Sequence, residues 1–166
     1  TAIRIANEFH LRFSIEHCTD GYLIIDDLVR NHVQCLLGPT VGGKGKIEAR
    51  NKTFKAGQIL ENAGITFGLI TDAPFVPIEG QLLQAALYVK NGLSREMALK
   101  CLTINNAIIT DIDSRVGSLE PGKDADVVIW DVEPLATLSQ VGIVIIDGQI
   151  AYRRKAGESN VDYQKL

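Results

Sequence analysis

Nothing in this chain of 166 residues marks it for nucleic acid, a bilayer or disulfide chemistry. Seventeen Lys and Arg stand against twenty Asp and Glu, a formal net charge of −3. Without a basic surplus to neutralise phosphates, nucleic acid is not an expected partner. The longest apolar runs, such as residues 127–130 and 144–146, are far shorter than the ~20 residues that span a bilayer. No membrane partner is expected, and no leader-like segment opens the sequence. Three cysteines, Cys18, Cys35 and Cys101, are an odd number without C-x-x-C spacing, which points to free thiols in a reducing, cytoplasmic setting. What is there is ordinary: 46% hydrophobic and 22% charged residues. That excludes a disordered tail or a coiled coil and fits about one globular domain. The first residue is Thr1, not Met, and Ala2, Ile5, Ala6 and Phe9 set up helical spacing at once. Together these two features make a fragment of a longer protein the expectation.

After that helix, residues 11–17 are expected as a strand ending near His17. Thr19 or Asp20 is placed to cap a helix over 22–30, with Ile24, Ile25, Leu28 and Val29 as its buried stripe. A second strand over 33–37 is halted by Gly38-Pro39, and a glycine-rich loop follows at 41–45. Ala56, Ile59, Leu60 and Ala63 mark a helix closed by Gly64. A third strand over 65–70 runs into Thr71-Asp72-Ala73-Pro74. Two successive helices then carry Leu82, Ala86 and Val89, and, after an N-cap at Ser94, Met97, Ala98, Cys101 and Leu102. Crossovers of this length cannot be hairpins, so the strands are predicted to be parallel. Beyond Asp111 the style changes. Residues 126–130 form a strand, and 142–147 pair with 149–153 across Asp147-Gly148, a strong hairpin signal. Residues 154–166 make a polar tail, expected to be loosely held.

In parallel α/β folds ligands meet the carboxyl ends of the strands. Two side chains with metal or proton chemistry fall there: His17 after the first strand and Asp72 after the third. An imidazole nitrogen ligates a metal, and a carboxylate ligates one or takes a proton from water. A satisfied structural histidine and a turn-forming Asp before Ala-Pro are the plainer alternatives. His10 and His32 lie at the opposite ends of their strands and are weaker candidates. Residues 38–45 nearly spell a phosphate-binding loop, with Gly38, Gly43 and Lys44 in place. The hydroxyl that should follow is Gly45 instead, and Pro39 removes a backbone donor. A glycine-rich loop over a site mouth is the better interpretation, with nucleotide binding as a lesser alternative. Arg50, Asn51 and Lys52, near the start of a helix, could meet an anionic group or form a solvated face. Cys35 and Cys101 sit in apolar patterns and look inert. Cys18, beside His17, is the one thiol worth testing for reactivity, although no base partner is evident.

Residues 117–131, Gly-Ser-Leu-Glu-Pro-Gly-Lys-Asp-Ala-Asp-Val-Val-Ile-Trp-Asp, strongly resemble the carboxyl-terminal signature of the amidohydrolase superfamily. Ile146-Asp147-Gly148-Gln149-Ile150 fits the hairpin that follows it there. Ile15-Glu16-His17-Cys18-Thr19 is similar to the strand-six segment with a metal-binding His, and Ile70-Thr71-Asp72-Ala73-Pro74 to the strand-eight segment with the catalytic Asp. Thr103-Ile104-Asn105-Asn106-Ala107 resembles the family's Thr-x-Asn-Pro-Ala, with Asn106 for the usual Pro. That departure is expected to touch a helix cap and leave the chemistry alone. The likeness covers residues 1–153 and is greatest to the imidazolonepropionase-related and prolidase-like branch.

The resemblance implies an α/β chain, part of a (β/α)₈ barrel over residues 1–110 and part of a small β-sandwich over 111–153. It implies a metal-dependent hydrolase of C–N bonds in small-molecule amides or cyclic amides, working by metal-activated water. His17 would be a metal ligand, Asp72 both ligand and catalytic base, and the cofactor a divalent ion, expected to be zinc. The family's His-x-His, its strand-four Lys or Glu and its strand-five His have no counterpart in this sequence. A closed barrel takes about 250 residues, so three barrel strands make the chain roughly the second half of an enzyme. By itself it is expected to be inactive, to bind metal weakly or not at all, and to self-associate or require the missing amino-terminal half. The alternative is a small doubly wound α/β binding or regulatory domain. Strand order separates the two.

Overall fold

Three apolar runs joined by helical crossovers become three parallel strands. The computed structural model describes residues 1–155; from residue 156 on, the expected tail lies outside the described residues. β1 (Ser14–His17), β2 (Gln34–Leu37) and β3 (Phe67–Leu69) lie side by side in chain order. Ser14 is in register with Gln34, His17 with Leu37, and Leu37 with Leu69.

Each strand is shorter than the apolar run that announced it, and the reason is local. α1 (Ala2–Glu8), α2 (Ile25–Arg30) and α3 (Lys55–Asn62) each end in a left-handed residue. These are His10 at φ 53, His32 at φ 50 and Gly64 at φ 69. The following N–H groups of Leu11, Val33 and Ile65 then reach back to Ala6, Leu28 and Leu60 at 2.8, 3.0 and 3.1 Å. Those donors close helices and are lost to the sheet. His10 and His32 are therefore helix-closing residues.

The helix expected over 22–30 is broken. A tight helical turn at Gly21–Leu23 is followed by Ile24 at φ −127 and ψ 35, and α2 starts only at Ile25. The Asp20 side chain makes no capping bond. Leu28 is fully buried, but Ile24 and Val29 stand nearly half exposed, so the expected stripe is narrower than the sequence implies.

α4 (Gln81–Lys90) and α5 (Arg95–Leu102) follow, with Ser94 Oγ accepting from Met97 N at 3.1 Å as the N-cap spacing predicts. Where a helix end is expected, a separate α6 (Ile104–Ile109) forms after the chain breaks at Thr103, φ −133 and ψ −101. Asn106 donates to Leu69 O at 3.2 Å, so the Asn that stands for Pro reaches β3 and does more than cap a helix. β4 (Val127–Trp130), β5 (Val141–Ile146) and β6 (Gln149–Arg153) form an antiparallel sheet in that order. Asp147 at φ 48 and Gly148 at φ 73 supply the two left-handed residues of the expected two-residue turn. Among the described residues no helix is long and apolar enough to cross a membrane.

Alternation along β2 and β3 sends Cys35, Leu37, Phe67 and Leu69 into a core with Leu28, Leu60, Tyr88 and Cys101. All three thiols are free and buried, Cys18 included. A hydrogen bond to Cys35 holds the Cys18 thiol below its ordinary pKa, while the same contact and burial push Cys35 up. Cys101 donates to Phe67 O at 3.1 Å, and burial pushes its pKa from 9.0 up to about 12. A thiol whose folded pKa is raised weakens the fold only once the unfolded chain can ionise it. Urea midpoints are therefore expected to be flat in this respect below pH 9.0 and to fall toward pH 12. Cys101→Ala is expected to make that alkaline slope shallower. The remainder comes from Cys35, whose pKa the Cys18 contact and burial raise, and from Tyr88, whose pKa burial raises.

Candidate active site

β1 ends at His17, and the chain leaving β3 reaches Asp72 three residues beyond Leu69, at the same end of the sheet. His17 Nε2 lies 3.9 Å from Asp72 Oδ2, and both side chains are about half exposed. Both residues have left-handed backbones, φ 61 and φ 53. That conformation costs an L-residue roughly 1–2 kcal/mol, and it turns both side chains over the sheet end. His17 Nδ1 lies 2.9 Å from Gly38 O. A carbonyl only accepts, so Nδ1 carries a hydrogen, and in the neutral ring the lone pair is on Nε2.

Two donors about 2.1 Å from one tetrahedral zinc sit about 3.4 Å apart. The observed 3.9 Å is near that spacing, and an imidazole nitrogen with a carboxylate oxygen is a donor pair that zinc takes. Among the described residues no group of three or more His, Cys, Asp or Glu is placed to hold a metal. An imidazole and a carboxylate so placed would suit a divalent ion as two of its donors.

The phosphate-loop alternative fails on local structure. No helix opens after Lys44; a tight turn at Ile47–Ala49 follows, and α3 begins at Lys55. Lys44 Nζ donates to Arg50 O at 2.9 Å and Lys52 Nζ to Gly43 O at 3.4 Å, so both lysines close the loop on itself. Arg50, Asn51 and Lys52 precede α3 and do not open it. Asn51 is tied to the loop after His17, donating to Asp20 Oδ2 at 3.3 Å and accepting from Tyr22 OH at 2.9 Å.

Sequence reasoning missed the polar groups behind the pair. Gln84 is fully buried; its Oε1 accepts from Thr40 N at 2.7 Å and its Nε2 donates to Ile70 O at 2.8 Å. Thr40 Oγ1 and Tyr88 OH are 2.5 Å apart. The available signal was helical spacing: Gln81, Gln84 and Tyr88 fall at i, i+3 and i+7 on one face. A separate cavity of about 710 Å³ lies between the helices and β4, lined by Leu99, Leu102, Val116, Val127 and Trp130 among others, away from His17 and Asp72.

Residues 4–151 match the model of the amidohydrolase family. The amidohydrolase tasK of Hapsidospora irregularis is 34% identical over 103 residues, 62% of this chain and 10% of that protein. The imidazolonepropionase of Picrophilus torridus is 49% identical over 41 residues, 25% of this chain and 10% of that protein. The crystal structure of an amidohydrolase from Thermotoga maritima MSB8 superposes with a TM-score of 0.89 at 38% identity, over 92% of this chain and 40% of that one. A prolidase complexed with N-methylphosphonate-L-proline gives a TM-score of 0.68 at 20% identity over 92% of this chain and 43% of that one, a likeness of fold. The chain thus spans less than half the length of each of these relatives.

Proposed function

The chain belongs to the amidohydrolase family, and from that premise we propose that it is the carboxyl-terminal part of a metal-dependent enzyme hydrolysing C–N bonds in small-molecule amides or cyclic amides. Residues 1–110 are three successive units of a (β/α)₈ barrel, and 111–153 belong to a flanking β-sandwich. The sequential order of β1, β2 and β3, without reversal, supports the barrel over a doubly wound sheet. The observation that carries the function is the approach of His17 Nε2 to Asp72 Oδ2, 3.9 Å, where barrel enzymes work.

His17 and Asp72 would hold a divalent ion, expected from the family resemblance to be zinc. Bound there, it supplies a lowered pKa for water and a polarised scissile carbonyl. The chain's own part is positional and protonic. Gly38 O fixes the His17 ring with its Nε2 lone pair outward. Asp72 takes a proton from the attacking water at a carboxylate oxygen as the C–O bond forms. It returns that proton to the nitrogen as the C–N bond breaks, so the carboxylate is regenerated. The remaining donors come from the missing amino-terminal half or from a second copy of the chain. Exposed Val128, Ile129, Ile150 and Tyr152 on β4 and β6 support such an association. Three free thiols support a reducing compartment such as the cytoplasm.

Two donors fall far short of the ~10–16 kcal/mol of four-ligand structural zinc sites. Zinc added to the purified chain is therefore expected to shift the His17 and Asp72 resonances with a Kd weaker than about 1 μM, and His17→Ala to remove the response. Shifts at His10 or His32 in place of His17, or nanomolar binding, would overturn the proposal.

A further inference from the structure

What holds the carbonyl that holds His17? Gly38 N donates to His17 O at 3.2 Å, which ties the two backbones together. The next residue, Pro39, has no N–H, so the first donor beyond Gly38 is Thr40 N, and it goes to Gln84 Oε1 at 2.7 Å. The other end of the same side-chain amide, Nε2, donates 2.8 Å to Ile70 O, two residues before Asp72. One planar group on α4 therefore bridges the loop that supplies the acceptor for His17 and the strand end that delivers Asp72.

The bridge is tight. A Cβ on Gly38 would stand 3.0 Å from Gln84 Nε2 and 3.3 Å from Oε1. One turn further along α4, Tyr88 OH meets Thr40 Oγ1 at 2.5 Å, and burial raises the tyrosine pKa so that the hydroxyl keeps its proton. Every member of the network is neutral. An amide suits it because each of its two ends matches one backbone group, N–H to C=O and C=O to N–H. A carboxylate would lose the donor to Ile70 O, and a thioether would lose both bonds.

We propose that Gln84 is a positioning residue for the His17–Asp72 pair: its amide sets the Gly38 carbonyl and the Ile70 strand end at a fixed separation, and through Gly38 it fixes the hydrogen on Nδ1 of His17. The proposal rests on the assignment of His17 and Asp72 as the site. Its observable, however, is the state of one imidazole in the whole metal-free chain, independent of any activity.

Long-range ¹H–¹⁵N correlation at about pH 8.5, where imidazole rings in general are neutral, reports which ring nitrogen carries hydrogen. Wild-type His17 is expected in the Nδ1–H form. Gln84→Met is expected to move the tautomer ratio about five- to tenfold toward Nε2–H, the equilibrium worth of one hydrogen bond. Gln84→Glu, which keeps the acceptor for Thr40 N, is expected to move it in the same direction by less. Gln81 is the control. It donates to Leu69 O at 2.6 Å from the same helix to the same strand but does not touch the Gly38 loop. Gln81→Met is expected to leave His17 unchanged.

A wild-type His17 without the Nδ1–H signature overturns the proposal. So do folded Gln84 variants with a wild-type signal, or an equal shift in Gln81→Met. If both Gln84 variants unfold while Gln81→Met folds, the role is core stability alone, and the proposal also falls. A moved tautomer with zinc shifts at His10 or His32 in place of His17 would keep the bridge and dismiss His17 as the metal ligand.

Discussion

Asp72→Asn is expected to lower kcat by about 10²- to 10⁴-fold in an assembly containing this chain that hydrolyses an amide, the range lost when a positioned acid–base group is removed. Asn has nearly the same shape, so the approach to His17 and the left-handed turn at φ 53 survive the change. The basic oxygen is lost, and with it the negative charge of the metal donor. The loss therefore appears in kcat with little change in KM, and the limb of the pH profile that reports the base disappears with it. Zinc content measured alongside separates loss of the base from loss of metal. Asp20 is the matched control, a carboxylate on the same rim that accepts from Asn51 Nδ2 at 3.3 Å. Asp20→Asn should loosen a loop and leave the profile intact. A full rate in metal-loaded Asp72→Asn would remove Asp72 from the chemistry.

Gly38→Ala, just beyond the end of β2, is expected to be strongly destabilising. At φ +123 the backbone lies where L side chains rarely go, and the new Cβ would stand 2.4 Å from Ile70 O, a backbone atom that cannot rotate away. The strained conformation costs about 1–3 kcal/mol, and the overlap costs about as much again. Together they remove about 2–6 kcal/mol from a fold whose total is of order 5–15. A urea titration reads this as a fall in midpoint at unchanged slope. Gly64→Ala isolates the first contribution, because at φ +69 its Cβ meets nothing within 4 Å; it should cost only about 1–2 kcal/mol. Equal costs at the two glycines would mean that the sheet end yields to Gly38→Ala.

The split between what was readable and what was not follows from range. The ends of apolar runs locate His17 and Asp72, because a strand's direction is local and its carboxyl end is where ligands gather. Ser94 as a cap, Gly64 as a helix terminator and Asp147-Gly148 as a hairpin turn are likewise properties of a few neighbouring residues. The break at Ile24 and the restart at Ile104 were hidden, because apolar spacing continues through both while the backbone does not. His10 and His32 reveal their part in closing helices only once φ is known. Gln84 was least visible of all. A glutamine on a helix looks like a solvent face, and the groups it serves, Thr40 N and Ile70 O, lie 44 and 14 residues away in the chain.

His17 and Asp72 meet across two strand spacings, roughly 9.5 Å of sheet, with Gly38 beyond the end of the strand between them. Neither neighbour in sequence nor single helix brings them together; only the completed set of three strands does. During synthesis the pair cannot close until residues past Leu69 have emerged and β3 has docked on β2. Non-local pairing of this kind is the slow part of folding. The imidazole–carboxylate contact is thus a clock for the sheet, and its first appearance marks the moment the last strand has found its register.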